Sequence, residues 1–244
     1  DVLRRPVAAV APDPDGSGPL THPVTRTAYN ADGNVTQVDA GRVSTPTNWN
    51  NLTLTSRVKS YYDAHGRKIK DEVIQVGGAQ NGQIGAMTQY SYDGLGRIEC
   101  TAQRMNPATF TSPPSNACAL GTEGSQGPDR ITKTEYTANN DVYRVIRAYG
   151  TPLQQNYQTY TYYPDGALQS VTDAKGNKTT YEYDGFNRLW KTSFPSKTAA
   201  GVSSTTDYEE YTYDAAGNRK TLRKRDGRVI AYDYDNLNRM IKKD

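Results

Sequence analysis

The chain has 244 residues, 35% of them hydrophobic, with 29 basic and 26 acidic side chains and a formal charge of +3. Those charges are dispersed, so there is no basic block for nucleic acid or anionic lipid, and no apolar run reaches the ~18 residues of a membrane helix. Tyrosine supplies 19 of the 24 aromatic residues, an excess that a repeated pattern explains below.

Residues 1–24, "DVLRRPVAAVAPDPDGSGPLTHPV", are rich in Pro and Gly and too broken by proline and charge for a signal peptide. They read as a linker or insertion. Within them "DPDGSG" (13–18) alternates oxygen-bearing residues as a calcium loop does. It lacks the later Glu and the flanking helices of an EF-hand, so no metal site is assigned.

From residue 25 to 244 one pattern recurs. Tyr29, Tyr62, Tyr92, Tyr136, Tyr162, Tyr183, Tyr213 and Tyr234 are each followed, four residues on, by Gly33, Gly66, Gly96, Asn140, Gly166, Asn187, Gly217 and Asn238. Gly and Asn are the residues that most readily take the left-handed backbone conformation. A slot filled by these two alone is therefore a backbone requirement. The residue after the anchor tyrosine is Asp63, Asp93, Asp184, Asp214 or Asp235 in five copies and Asn30 in another. Such side chains open turns by accepting backbone N–H groups two residues on. A type I turn closed by a left-handed residue follows, and it is a common β-hairpin connection.

Alternation with a period of two flanks each turn, as in "TQYSYD" ending at Asp93 and "RIECTAQ" from Arg97, and no segment sustains a 3.6-residue period. A second tyrosine precedes the anchor by two residues at Tyr90, Tyr160, Tyr181, Tyr211 and Tyr232. Two apart on a strand is one face, so the paired tyrosines are expected to stack in a column from hairpin to hairpin. Packing, not ligand binding, is the role expected of them.

Anchor spacings run 33, 30, 44, 26, 21, 30 and 21. The 21-residue units are bare hairpins with a second short turn, "DAKGN" (173–177) or "RDGR" (225–228). The longer ones carry polar insertions after the second strand: 39–51, 76–86, 104–130 and 195–207. Insertions confined to one edge are what stacked hairpins predict. Cys100 and Cys118 bracket 17 residues, most of them in the largest insertion. Two readings stand for them: a disulfide pinning that loop, which implies an oxidising compartment, or two free thiols.

Catalytic chemistry finds little support. His22 and His65 have no Cys, Asp or Glu at metal spacing, and there is no G-x-S-x-G. The repeated aspartates fall at turn starts, where capping accounts for them, whereas a glycosidase needs one facing carboxylate pair. Tyrosines interleaved with acids, as in "DYEEYTYD", repel phosphate, so nucleic acid is not expected as a partner. Neither a cofactor nor a metal is expected, and the chain is not expected to be an enzyme.

"YSYDGLGRIE" (90–99), with "YYDAHGRKI" and "YEYDGFNRL", resembles the Y-x-Y-D-x-x-G-R unit of the YD-repeat, or Rhs (rearrangement hot spot), family. The resemblance covers about residues 25–244, and eight spaced copies make it specific. "TANND" after Tyr136 and "YPDG" after Tyr162 depart from the unit. The family implies an all-β fold, an array of antiparallel β-hairpins forming a curved or spiralling sheet that is a section of a hollow shell. Such shells, as in Tc toxin B and C components, enclose a C-terminal toxin, and similar shells in teneurins serve adhesion.

The residues expected to build turns and packing are Tyr62, Asp63, Gly66, Tyr90, Tyr92, Asp93, Gly96, Tyr181, Tyr183, Asp184, Asn187, Tyr211, Tyr213, Asp214, Gly217, Tyr232, Tyr234, Asp235 and Asn238. The resemblance makes the chain a piece of a longer shell wall, secreted or at the cell surface. Its expected partners are the flanking repeats, the enclosed toxin or effector, and further copies of itself through open sheet edges. The alternative is an extracellular adhesion or carbohydrate-binding module that uses the one-edge insertions, which an exposed patch around Trp49 would favour.

Overall fold

A computed structural model describes residues 1–16 and 18–244. Among these the chain is all-β, with seventeen strands and two short 3-10 turns, Pro46–Asn48 and Pro107–Thr109. It divides into two compact units, Asp1–Lys133 with Ala148–Leu153, and Thr134–Arg147 with Gln154–Asp244.

The first unit contains β1 (Ala8–Val10), β2 (His22–Tyr29), β3 (Val35–Val43), β4 (Thr53–Tyr62), β5 (Lys68–Ile74), β6 (Ile84–Tyr92) and β7 (Ile98–Arg104). Each pairs antiparallel with its neighbour in sequence. β8 (Arg130–Tyr136) pairs with β7 through residues 130–133. The second unit holds β9 (Val142–Arg147), β10 (Gln155–Tyr162), β11 (Leu168–Asp173), β12 (Lys178–Tyr183), β13 (Leu189–Pro195), β14 (Ser203–Tyr213), β15 (Arg219–Arg223), β16 (Val229–Tyr234) and β17 (Met240–Lys243). These too form an antiparallel meander.

Hairpin register explains why the repeat is written as it is. The ladder slips by one residue immediately before Tyr29, Tyr62, Tyr92, Tyr162, Tyr183, Tyr213 and Tyr234. This is the bulge that accompanies a type I turn followed by a left-handed residue. The Gly or Asn slot is that residue, with φ from +59° at Asn187 to +88° at Gly33.

Several sequence boundaries need correction. Residues 1–24, read as linker, contain β1 and the start of β2. Asp39–Val43, read as the start of an insertion, is strand: Asp39 is neutralised by two arginines and can sit buried in β3. Gly41 is there because the β4 backbone passes close; a Cβ on it would lie 2.2 Å from the Thr53 carbonyl oxygen. Likewise β6 begins at Ile84 and β14 at Ser203, inside the expected insertions.

The buried apolar set is small. Cys100, Ala102, Ala117 and Ile131 form a cluster against which Cys118 and Tyr149 pack. Val24, Val43, Ile74, Met87 and Phe110 are also buried in the first unit, and Ile146 and Tyr211 in the second.

Candidate functional site

The repeated turn is held by one set of bonds. At Asp63 the backbone N–H donates to the Arg67 carbonyl and the Gly66 N–H to the Asp63 carbonyl. The Asp63 carboxylate accepts from the N–H groups of His65 and Arg67 through Oδ1 and from Arg67 Nε through Oδ2 at 2.7 Å. Asp93, Asp184 and Asp235 repeat this with Arg97, Arg188 and Arg239. The arginine hydrogen bond holds each of these three carboxyls below the usual range. Asp214 uses Asn218 instead.

One copy escaped the sequence reading. Asp1–Arg5 forms the same turn, with Arg5 Nε donating to Asp1 Oδ2 at 2.7 Å and Arg4 in the left-handed slot at φ +60°. Its signal is the Asp and Arg four apart, without the tyrosine that precedes the other copies.

Neighbouring hairpins are joined by the anchor tyrosine. The Tyr29 hydroxyl donates to the Pro6 carbonyl, Tyr62 to Val35 and Tyr92 to Lys68, at 2.7–2.9 Å. In the second unit Tyr162 donates to Val142, Tyr213 to Leu189 and Tyr234 to Arg219. The acceptor in each case lies two residues past the left-handed position of the preceding hairpin. Above the ring sits that hairpin's arginine: Arg5 over Tyr29 at 4.5 Å, Arg67 over Tyr92 at 4.6 Å and Arg188 over Tyr213 at 4.5 Å. A guanidinium over a ring face is attracted by the ring quadrupole.

Three anchor tyrosines are thus covered by an arginine, and the expected stacking of tyrosine on tyrosine is not what joins the hairpins. One aromatic pair is seen among the described residues, Tyr163 edge-on to Tyr183 at 6.2 Å. The tyrosines two before the anchor bind carboxylates and amides: Tyr90 to Asp71, Tyr160 to Gln158, Tyr211 to Glu209. Burial, helped by Asp71, pushes the Tyr90 hydroxyl up to about 12, so it stays a donor. Tyr181 and Tyr232 are respectively half-buried and half-buried on their strands.

Two polar nodes tie down what the repeat does not. Asp39, 1% exposed, accepts from Arg26, Arg57 and Gln37. Arg104 in β7, also buried, reaches Asp129, Gln89 and the carbonyls of Asn116 and Ala119. Asp129 in turn accepts from the N–H groups of Met105 and Gly121. Cys100 and Cys118 are joined as a disulfide, so the 105–129 insertion is fastened covalently and by this network. Neither node was anticipated, because their charged partners lie 13, 18 and 25 residues apart with no fixed spacing.

Among the described residues no group of His, Cys, Asp and Glu could hold a metal, and no helix is long and apolar enough to cross a membrane. The "DPDGSG" stretch lies partly outside the described residues.

Hairpins closed by one turn and joined by one tyrosine latch define a β-hairpin repeat protein. Residues 162–199 and 213–244 match the family model described as RHS Repeat, and the same turn and latch recur outside them. Those two stretches are thus RHS repeats by sequence. No curated protein matches it. Among solved structures, TcdB2-TccC3-Cdc42 is similar at 12% identity and TM-score 0.42, over 93% of this chain and 16% of that one. TcdB2-TccC3-TEV gives 13% and 0.43 over the same shares. A porin-like protein from Bacteroides uniformis ATCC 8492 gives 10% and 0.33, over 91% of this chain and 88% of that one. The chain therefore spans 16% of the length of the first of these structures.

Proposed function

We propose that this chain is a wall segment of an RHS-repeat shell that encloses a C-terminal toxin or effector in a secreted toxin system. The observation that carries the reading is the latch: in six hairpin pairs one hairpin offers its neighbour a backbone carbonyl and takes a tyrosine hydroxyl in return, and in three of them an arginine also covers the ring. That contact makes hairpins additive, so a wall can be extended without a large apolar core, as in other repeat proteins. Turn aspartates and tyrosines are structural in this reading, and none is catalytic. The disulfide suits an oxidising compartment and hence a secreted or surface location.

Trp49, in the insertion whose exposure would favour an adhesion module, is half-buried. The wall is therefore the preferred reading. Limited proteolysis of the parent polypeptide, followed by mass spectrometry, tests it. A C-terminal segment that resists protease until the repeat region is opened by mild denaturant supports enclosure. Equal accessibility of every segment overturns it.

A further inference from the structure

The fifth turn breaks the repeat. Tyr163 occupies the slot that Asp63, Asp93, Asp184, Asp214 and Asp235 fill in five other copies, the carboxylate is displaced to Asp165, and Ala167 stands where Arg67, Arg97, Arg188 and Arg239 cap four of them. Asp165 accepts one backbone N–H, from Ala167 at 3.0 Å, and among the described residues it has no cationic partner. Sequences tend to break their own local rules where function requires it. Beside this turn lies a cleft of about 510 Å³, lined by Tyr163, Tyr183, Trp190, Asp165, Glu182 and Asp184, with Asn187 at its side.

The chemistry of the lining is one-sided. Tyr163 and Tyr183 meet edge-on at 6.2 Å, and Trp190 is 39% exposed. The Tyr163 hydroxyl already donates to the Tyr181 carbonyl. Ionised carboxylates only accept, so the remaining donors of the lining are the Asn187 amide, the Tyr183 hydroxyl and the Trp190 indole N–H. Asp184 is neutralised by Arg188 at 2.7 Å, and Arg188 lies over Tyr213. Glu182 has Lys191 at 3.9 Å, and that ammonium is 5.9 Å from the Trp190 ring. Lys191 lies nearer the Tyr208 ring, at 4.5 Å, and is not part of the lining.

We propose that this cleft binds a small organic cation, a quaternary or primary alkylammonium, with Trp190, Tyr183 and Tyr163 as its aromatic walls and Asp165 and Glu182 as its counter-charges. Aromatic faces and carboxylates together favour a cation with an apolar surface over either a bare metal ion or a neutral solute. A sugar would need donors from the protein as well as acceptors, and the lining offers few. The site is independent of the shell reading, since it needs only the two hairpins around residues 160–190.

The test is choline chloride titrated into the 15N-labelled chain, with sodium chloride matched and 3,3-dimethylbutan-1-ol as the neutral isostere. The two indole N–H signals, assigned with Trp190→Phe, report on Trp49 and Trp190. A saturating shift confined to the Trp190 indole and the amides of Gly185 and Asn187 is expected. Trp190→Ala, read through those amides, should weaken binding about tenfold, and Asp165→Asn on its exposed turn about threefold. Equal binding of the neutral alcohol, a shift that sodium chloride reproduces, or saturation by methyl glucoside in place of choline would each overturn the proposal. The isostere comparison needs no variant, so a misfolded Trp190→Ala leaves the test decisive.

Discussion

Asp39 carries a full charge in the middle of a strand, and its surroundings explain how. The Arg57 hydrogen bond, with Arg26 and Gln37 adding to it against the opposing effect of burial, lowers its carboxyl to about 2. The folded value is depressed below the ordinary 3.8, so its contribution is fully present above about pH 4 and is lost as pH falls toward 2. A shift of that size is worth about 2 kcal/mol. Urea unfolding between about pH 2 and pH 5 should therefore show wild-type stability falling more steeply than that of Asp39→Asn. At neutral pH Asp39→Asn should cost about 2–3 kcal/mol, below the usual loss for a broken buried pair because Arg26 and Arg57 keep some solvent. Parallel pH profiles for the two proteins would remove Asp39 from this role.

The same residue marks the limit of what the sequence discloses. The left-handed slot is legible because it is local: Gly or Asn fills it in all eight copies that carry the anchor tyrosine, at a fixed distance from it. Asp39 in "QVDAGR" carries no such mark, since its arginines stand 13 and 18 residues away on other strands. The tyrosine latch was half-legible. Its tyrosine repeats visibly, but its acceptor is a backbone carbonyl, which every residue has.

At the scale of the hairpin, the turn slot separates conformation from contact. Gly66 has φ +74°, and a Cβ added there would meet only Asn34 Nδ2 at 3.6 Å, an ordinary contact. Gly66→Ala should thus cost about 1–2 kcal/mol through backbone strain alone. Asn187, at φ +59°, already bears that strain, so Asn187→Gly should be neutral or slightly stabilising. Thermal melts of the two variants check the pair, and a loss in both would mean the side chains, not the backbone, decide the slot.

The largest insertion obeys different physics. It has few apolar residues, and its order depends on Arg104, Asp129 and the Cys100–Cys118 bond. Closing a loop with a sequence separation of 18 should stabilise by about 3 kcal/mol in the chain-entropy account. Cys100→Ala/Cys118→Ala should lower the urea midpoint accordingly and expose residues 105–129 to protease before the strands are cut. A double variant with wild-type protease resistance would mean the Arg104 network suffices by itself.

At the scale of the sheet, a chain of these 244 residues alone presents β17 as an edge. β17 is exposed at all four residues, with Met240 at 53% and Ile241 at 66%, and it is paired on one side by β16. Such an edge is a template for another strand, and lysines are the common guard against it. Lys242 and Lys243 occupy that position here. Their mutual repulsion between copies is screened by salt, whereas backbone pairing and apolar contact are not. Sedimentation equilibrium should therefore find association that rises with protein concentration and is stronger in about 0.5 M than in about 0.05 M sodium chloride. Ile241→Lys should suppress it. Association weakened by salt would identify an electrostatic contact elsewhere, and a strictly monomeric chain at both salts would mean the two lysines close the edge unaided.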